Sequence, residues 1–261
     1  MQSNGSMVYS TISAYIITKN AEATIGVSLR SISWADEIVV VDSGSTDKTV
    51  EICEKAGARV YNEPFRGFVE QKNLAMSYCH CDWVFNLDAD EEVTPELKRS
   101  ILEVSKNPNP SSDIAIYTVT RKTWYMGRWI LHSGWYPEYR VRLSRKEKAR
   151  WVGEMLHEKL EGDGDIGRLS GDLLHRPYAD LGEHMRKMNV YTDIWARKEK
   201  TRGRKASWCD ILFRPIVSFT KMYVLRCGFL DFGPGLIISI MGAWYTFMKY
   251  ARLLELWRNS N

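Results

Sequence analysis

The sequence predicts an α/β fold, with a mostly parallel, Rossmann-like central sheet, flanking helices and a helical C-terminal extension. Three observations carry this expectation. Short apolar runs alternate with helical periods over the first 61 residues. Polar clusters punctuate the ends of those runs. After Leu181 the chain turns basic and helical. With 261 residues, 44% hydrophobic and 26% charged, it has material for a packed core and none of the signature of disorder.

Taken in order, Ser13 to Thr18 reads as a buried strand ending at the polar turn Lys19-Asn20. Ile25, Leu29 and Ile32 have helical spacing within Ala23 to Ser33. Glu37 to Val41 is a continuous apolar run, as expected of a parallel strand covered on both faces. It stops at Asp42-Ser43-Gly44-Ser45-Thr46-Asp47. A helix follows from Thr49 to Ala56, then a short strand from Ala58 to Tyr61. Gly67 to Tyr78 is helical, and Asp82 to Leu87 is a strand running into Asp88-Ala89-Asp90-Glu91-Glu92. Thr94 as N-cap and Pro95 as first residue start another helix. A Pro/Ser loop spans Asn107 to Ser112, and Ile114 to Leu143 is strand-like and rich in Tyr and Trp.

Charge is divided unevenly. Residues 1–181 carry 22 Lys+Arg against 26 Asp+Glu, and residues 182–261 carry 14 against 6. The basic end implies an anionic partner, lipid or nucleic acid. Phe232 to Met248 is uncharged for 17 residues, but Gly233-Pro234-Gly235 near its start shortens the usable helix. It falls short of the roughly 20 apolar residues of a spanning helix. Leu236, Ile240, Trp244, Phe247, Ala251 and Leu254 lie near one helical face. Attachment to an anionic membrane surface fits these features, and a homodimer interface is the rival. Nucleic acid explains the charge but not the apolar stripes, so none is expected as a partner. Five cysteines without a CxxC pair suggest reduced thiols. Met1 to Ser6 resembles an appended leader, with Met7 as the natural start.

In open parallel sheets, ligands bind beyond the carboxyl ends of the strands. Thr18-Lys19-Asn20, Asp42 to Asp47 and Asp88 to Glu92 all stand at such ends. Asp88 and Asp90 are crowded carboxylates, and a divalent cation with phosphate ligands explains their company. An acidic loop alone is usually just solvated; its position behind the other two clusters gives it meaning.

These residues resemble a known family. Ile16 to Asn20, Val39 to Thr49, Gln71-Lys72-Asn73 and Asn86 to Glu91 are similar to the motifs of family-2 glycosyltransferases with the GT-A nucleotide-diphosphosugar fold. The resemblance implies a UDP-sugar donor and a Mg²⁺ or Mn²⁺ cofactor. It implies that Asp42, with Ser43 beside it, meets the nucleotide base, with Thr18 and Asn20 lining the same donor site. Lys72 and Asn73 should lie near base and diphosphate. Asp88 should approach ribose or metal, and Asp90 the metal. Gly134 to Pro137, Arg140 to Leu143, His157-Glu158 and His175 resemble a narrower subgroup that adds β-linked glucose to heptose in the lipopolysaccharide core. That implies an inverting transfer to a lipid-linked glycan acceptor, carried out peripherally at the cytoplasmic face of the inner membrane. The expected layout is a catalytic domain over 7–181 (donor half about 7–105, acceptor half about 106–181) and an extension over 182–261.

An inverting transferase needs a carboxylate to accept the acceptor proton. Of Glu138, Glu154, Glu158 and Asp180, Glu158 is the choice; otherwise it pairs with Lys159 or Arg150 on a solvated surface. His175 is either a further metal ligand or a satisfied structural histidine. Arg142, with Arg140, either clamps the donor diphosphate or an acceptor phosphate, or forms surface ion pairs. The competing functions are a polyprenyl-phosphate glycosyl synthase of the same fold and an inactive membrane scaffold.

Overall fold

The computed structural model describes residues 10–106, 114–153 and 158–259. Met7, the loop 107–112, Glu154 and His157 lie outside the described residues. The chain divides into two compact units, one of residues up to Arg121 plus Tyr139–His175, the other of Lys122–Glu138 plus Arg176 onward. The second unit thus contains the extension and also the aromatic segment 122–138.

The first unit begins β1 (Ile12–Thr18), α1 (Ile25–Ser31), β2 (Glu37–Asp42), α2 (Thr49–Lys55), β3 (Arg59–Asn62), α3 (Phe68–Ser77) and β4 (Trp83–Asn86). It continues through β5 (Glu91–Val93), α4 (Pro95–Lys106) and β6 (Ile116–Tyr125), whose last residues enter the second unit along with β7 (Arg128–Ile130). It ends with β8 (Glu138–Arg145), β9 (Ala149–Val152), β10 (Lys159–Gly162) and β11 (Ile166–His175). The sheet order is β3-β2-β1-β4-β8-β6-β11-β5, with β7 pairing to β6. The β3, β2, β1 and β4 pairings are parallel; β8 joins β4, and β5 joins β11, antiparallel. The sheet is therefore mixed, with the predicted parallel topology in its first half.

The continuous apolar run of β2 is explained by two covered faces. Val40 packs with Ile16, Ile25 and Leu29 on one side. Val39 and Val41 pack with Tyr15, Ala75 and Met76 on the other. Register then aligns the strand ends, for Thr18 lies opposite Asp42, and Asp42 opposite Asn62. Thr94 caps α4 as its sequence implies, its hydroxyl accepting from the Leu97 N–H at 3.3 Å. Gly171 has φ +91°, and a Cβ there would collide with the Leu97 backbone, so glycine lets β11 pass the start of α4.

The second unit holds β7, α5 (Leu181–Thr201), α6 (Trp208–Thr220) and α7 (Phe232–Arg258). Its core gathers Tyr125, Ile130 and Ile238, with Trp135, Tyr178 and Met222 against them. Gly233-Pro234-Gly235 does not shorten α7, because the proline falls in the first turn, where its missing N–H has no partner to lose. No single helix among the described residues is long and apolar enough to cross a membrane.

Candidate active site

The first two polar clusters are laced to each other. Asp42 is 1% exposed, and its Oδ2 accepts from the Gly44 and Ser45 N–H groups at 2.9 and 2.8 Å. Its Oδ1 accepts from the Ser45 hydroxyl. This carboxylate folds its own loop at the end of β2. Ser43 donates its N–H to the Thr18 carbonyl at 2.9 Å, and its hydroxyl accepts from Gln71 at 3.2 Å. Asn20, at φ 50°, accepts the Thr46 N–H at 2.8 Å, which ties the two loops together. Among the described residues, Thr18 Oγ1 and Gln71 Oε1 are buried without a hydrogen-bond partner. Buried polar atoms are rarely left this way, so orphans beside a strand end suit a site that a polar ligand completes.

Asp88 anchors the second centre. Antiparallel pairing sets Phe85 opposite Leu143, which carries Arg142 in beside Asn86. Arg142, 3% exposed, donates to Asn86 Oδ1 at 2.7 Å and to Asp88 Oδ2 at 2.6 Å. It also donates to Glu91, which is 1% exposed and accepts from Arg121 at 3.2 Å. Burial opposes ionisation of Asp88, but Arg142 and then Lys72 outweigh it and hold the carboxyl well below its usual range. Arg142 is therefore not a surface ion pair. It is the buried counter-ion that keeps the acidic loop folded against β4.

Lys72, 4% exposed, joins this centre to the proposed base. Its Nζ lies 3.8 Å from Asp88 Oδ1 and 3.3 Å from Glu158 Oε1. It also sits 4.3 Å from the centroid of the Trp151 ring. The Trp151 indole donates to the Tyr15 hydroxyl at 2.6 Å, and burial pushes the Tyr15 pKa up. Asn73 follows Lys72 on α3. Its amide donates to the Trp151 carbonyl and accepts the Trp151 N–H, both at 2.9 Å, so both of its ends are used to seat β9. Glu158 is paired with Lys72, and the surface pairing with Lys159 or Arg150 is not formed; Lys159 bonds Glu161. Asp180 is the N-cap of α5, accepting the Glu183 N–H at 2.7 Å.

Asp90 and His175 meet because β5 pairs with β11, placing His175 opposite Glu91. His175 Nε2 is 3.4 Å from Asp90 Oδ2. Its Nδ1 is buried with no hydrogen-bond partner among the described residues. Among the described residues no group of three His, Cys, Asp or Glu is gathered as a metal site. The residues still fit a cation of the Mg²⁺ or Mn²⁺ kind, which needs only one or two protein ligands when phosphate oxygens complete the shell. Of the three expected ligands, Asp90 and His175 come together, while Asp88 is drawn toward Arg142 and Lys72.

Sequence reasoning missed three members of this centre. Glu91 was visible as a third acid after Asp88 and Asp90. Tyr15 was visible as a polar group inside a buried strand. Nothing in the sequence pointed to Trp151.

Comparison with known proteins follows the same outline. Residues 13–158 match the model of Glycosyl transferase family 2. The chain is similar to a lipopolysaccharide core biosynthesis glycosyltransferase, LpsC, of Rhizobium meliloti, 31% identical over 94% of this chain and 92% of that protein. An uncharacterized glycosyltransferase of Rickettsia typhi is 32% identical over 94% and 87%. A crystal structure of S. aureus TarS 1-349 with UDP-GlcNAc aligns over 96% of this chain and 92% of that one, at 16% identity and a TM-score of 0.47, an agreement too low to carry its ligand across. With the family match spanning β1 through Glu158 and the relatives spanning nearly the whole chain, the protein belongs to glycosyl transferase family 2.

Proposed function

We propose that the protein is an inverting hexosyltransferase that moves a sugar, glucose in the narrowest reading, from a UDP-sugar to a lipid-linked glycan of the lipopolysaccharide core. The observation that carries this reading is the Lys72 bridge, which holds Glu158 and Asp88 in one cluster beside the Asp90–His175 pair. The similarity to a core biosynthesis enzyme supports the acceptor class.

In this reading Glu158 takes the proton of the acceptor hydroxyl as that oxygen attacks the anomeric carbon from the face opposite the nucleotide. Lys72 orients the Glu158 carboxylate. Arg142 and Glu91 fix the loop bearing Asp88 and Asp90, so that little reorganisation is needed as charge develops. Asp90 and His175 would hold a divalent cation, whose chemistry when bound is to neutralise the departing nucleoside diphosphate. A phosphate acceptor, as in polyprenyl-phosphate synthases, needs little help from a base, so a carboxylate held at the centre favours a hydroxyl acceptor. The intact set of acidic and basic side chains disfavours an inactive scaffold. The acceptor class implies work at the cytoplasmic face of the inner membrane.

Nucleotide release from a panel of UDP- and GDP-sugars, with a lipid-linked acceptor extract and Mn²⁺, tests the proposal. Release from UDP-glucose in preference to the rest supports the narrow assignment. Preference for a GDP-sugar contradicts it.

A further inference from the structure

The second unit carries an apolar surface that the transfer chemistry does not use. Leu212, Phe213, Ile216 and Val217 repeat at helical spacing along α6, and all are about 60% exposed or more. The opposite side of α6 is closed, with Ile211 buried and Ser218 bonded to the Gly242 carbonyl of α7 at 3.3 Å. Beyond α6 the chain bends by 70° before continuing into α7. Leu225 and Phe232 flank that bend, each 72% exposed. The bend is preformed. Asp231, fully buried, accepts the N–H groups of Leu131 and His132 and faces the His132 ring at 3.2 Å.

Charge identifies what covers this surface. From Ile211 to Leu254 the only acidic residue is Asp231, whose carboxylate is used inside the fold. Lys221 and Arg226 are exposed along the same stretch, and the residues after Leu181 carry 14 basic against 6 acidic side chains. A second copy meeting this face about a two-fold axis would bring like cations together with no exposed carboxylate between 211 and 254 to answer them. Anionic headgroups answer them directly, while the acyl boundary takes the leucine, isoleucine and phenylalanine side chains. Spanning does not fit, because each helix has one side packed within its own unit, leaving a single apolar face.

We infer that the exposed face of α6 and the bend before α7 form a non-spanning wedge that inserts into an anionic lipid surface. This inference stands apart from the donor and acceptor assignment. The test uses the full chain in flotation with vesicles of phosphatidylcholine alone or mixed with phosphatidylglycerol. Wild type is expected to float with the mixed vesicles and to be released from them in part by high salt. The Leu225→Ser/Phe232→Ser double variant is expected to lose at least about tenfold in partitioning. Both side chains are exposed, so its melting temperature and its response to UDP with Mn²⁺ should match wild type. Lys221→Gln/Arg226→Gln is expected to weaken binding to the mixed vesicles only. Absence of wild-type flotation, or equal flotation of the double variant, would overturn the wedge. So would a lipid-free dimer that the double variant converts to monomer, since the face would then belong to a second copy. A lost UDP response with intact flotation would count against the donor reading alone.

Discussion

Arg142 faces two carboxylates, Asp88 and Glu91, with Lys72 near the first and Arg121 bonded to the second. Removing it leaves the buried Glu91 to Arg121 alone and Asp88 to Lys72 alone, and breaking a buried pair typically costs up to about 3–5 kcal/mol. Arg142→Leu should therefore lower the unfolding free energy from urea denaturation by up to that order, and a stability within about 0.5 kcal/mol of wild type would show that the pairing contributes nothing. Glu158→Gln separates chemistry from folding. It keeps the side chain's size and removes its basicity, so kcat should fall by about 10²–10⁴ with the donor KM little changed; near-full activity would remove Glu158 from the mechanism. At this scale the sequence singled out Lys72, Asp88, Asp90, Glu158 and His175, because these polar groups stand at strand ends or in motifs, and the structure brings Lys72, Asp88 and Glu158 together and pairs Asp90 with His175. It also placed Asp42, Asn73 and Arg142 at the donor, and the structure gives each of them partners within the fold. A side chain's type shows what it can bond, but not which partners its own fold supplies, and here these are Gly44 and Ser45 for Asp42, Trp151 for Asn73, and Asp88 and Glu91 for Arg142.

Elements bring the site together by register. Pairing of β4 with β8 delivers Arg142, and pairing of β5 with β11 delivers His175. Each strand pair joins segments far apart in sequence, so periodicity revealed the strands but not their partners. The parallel half was more legible, since alternating strand and helix leave few topologies open. In the second unit α5 carries a titrating group of its own. His184, with its Nδ1 2.8 Å from the Tyr125 hydroxyl and its ring stacked on Tyr178, has its pKa lowered to about 4 by burial. The unfolded chain then binds a proton below its ordinary 6.5 that the folded chain refuses until about 4. Stability should be full above pH 6.5 and decline as pH falls toward 4, by at most about 1.4 kcal/mol per unit. Melting temperatures across that window should fall more steeply for wild type than for His184→Gln, and parallel curves would refute the assignment.

The whole molecule divides its labour by unit. The carboxylates and cations of the proposed chemistry lie in the first unit, and the exposed apolar face lies in the second. The change in net charge after Leu181 announced this division, but the boundary drawn from it missed the segment 122–138, which packs with the helices through Tyr125, Ile130 and Trp135. An aromatic strand-like stretch does not reveal which core its rings will enter. The central claim is that the acidic loop after β4 is a metal and nucleotide-sugar site. Its most direct test is the melting temperature of wild type and Asp90→Asn with UDP, with and without Mn²⁺. Saturating UDP at about 100 times its Kd adds about 2.7 kcal/mol, a rise of a few degrees, in wild type only when Mn²⁺ is present, and Asp90→Asn should abolish it. No rise in wild type, or an equal rise in Asp90→Asn, would contradict the claim.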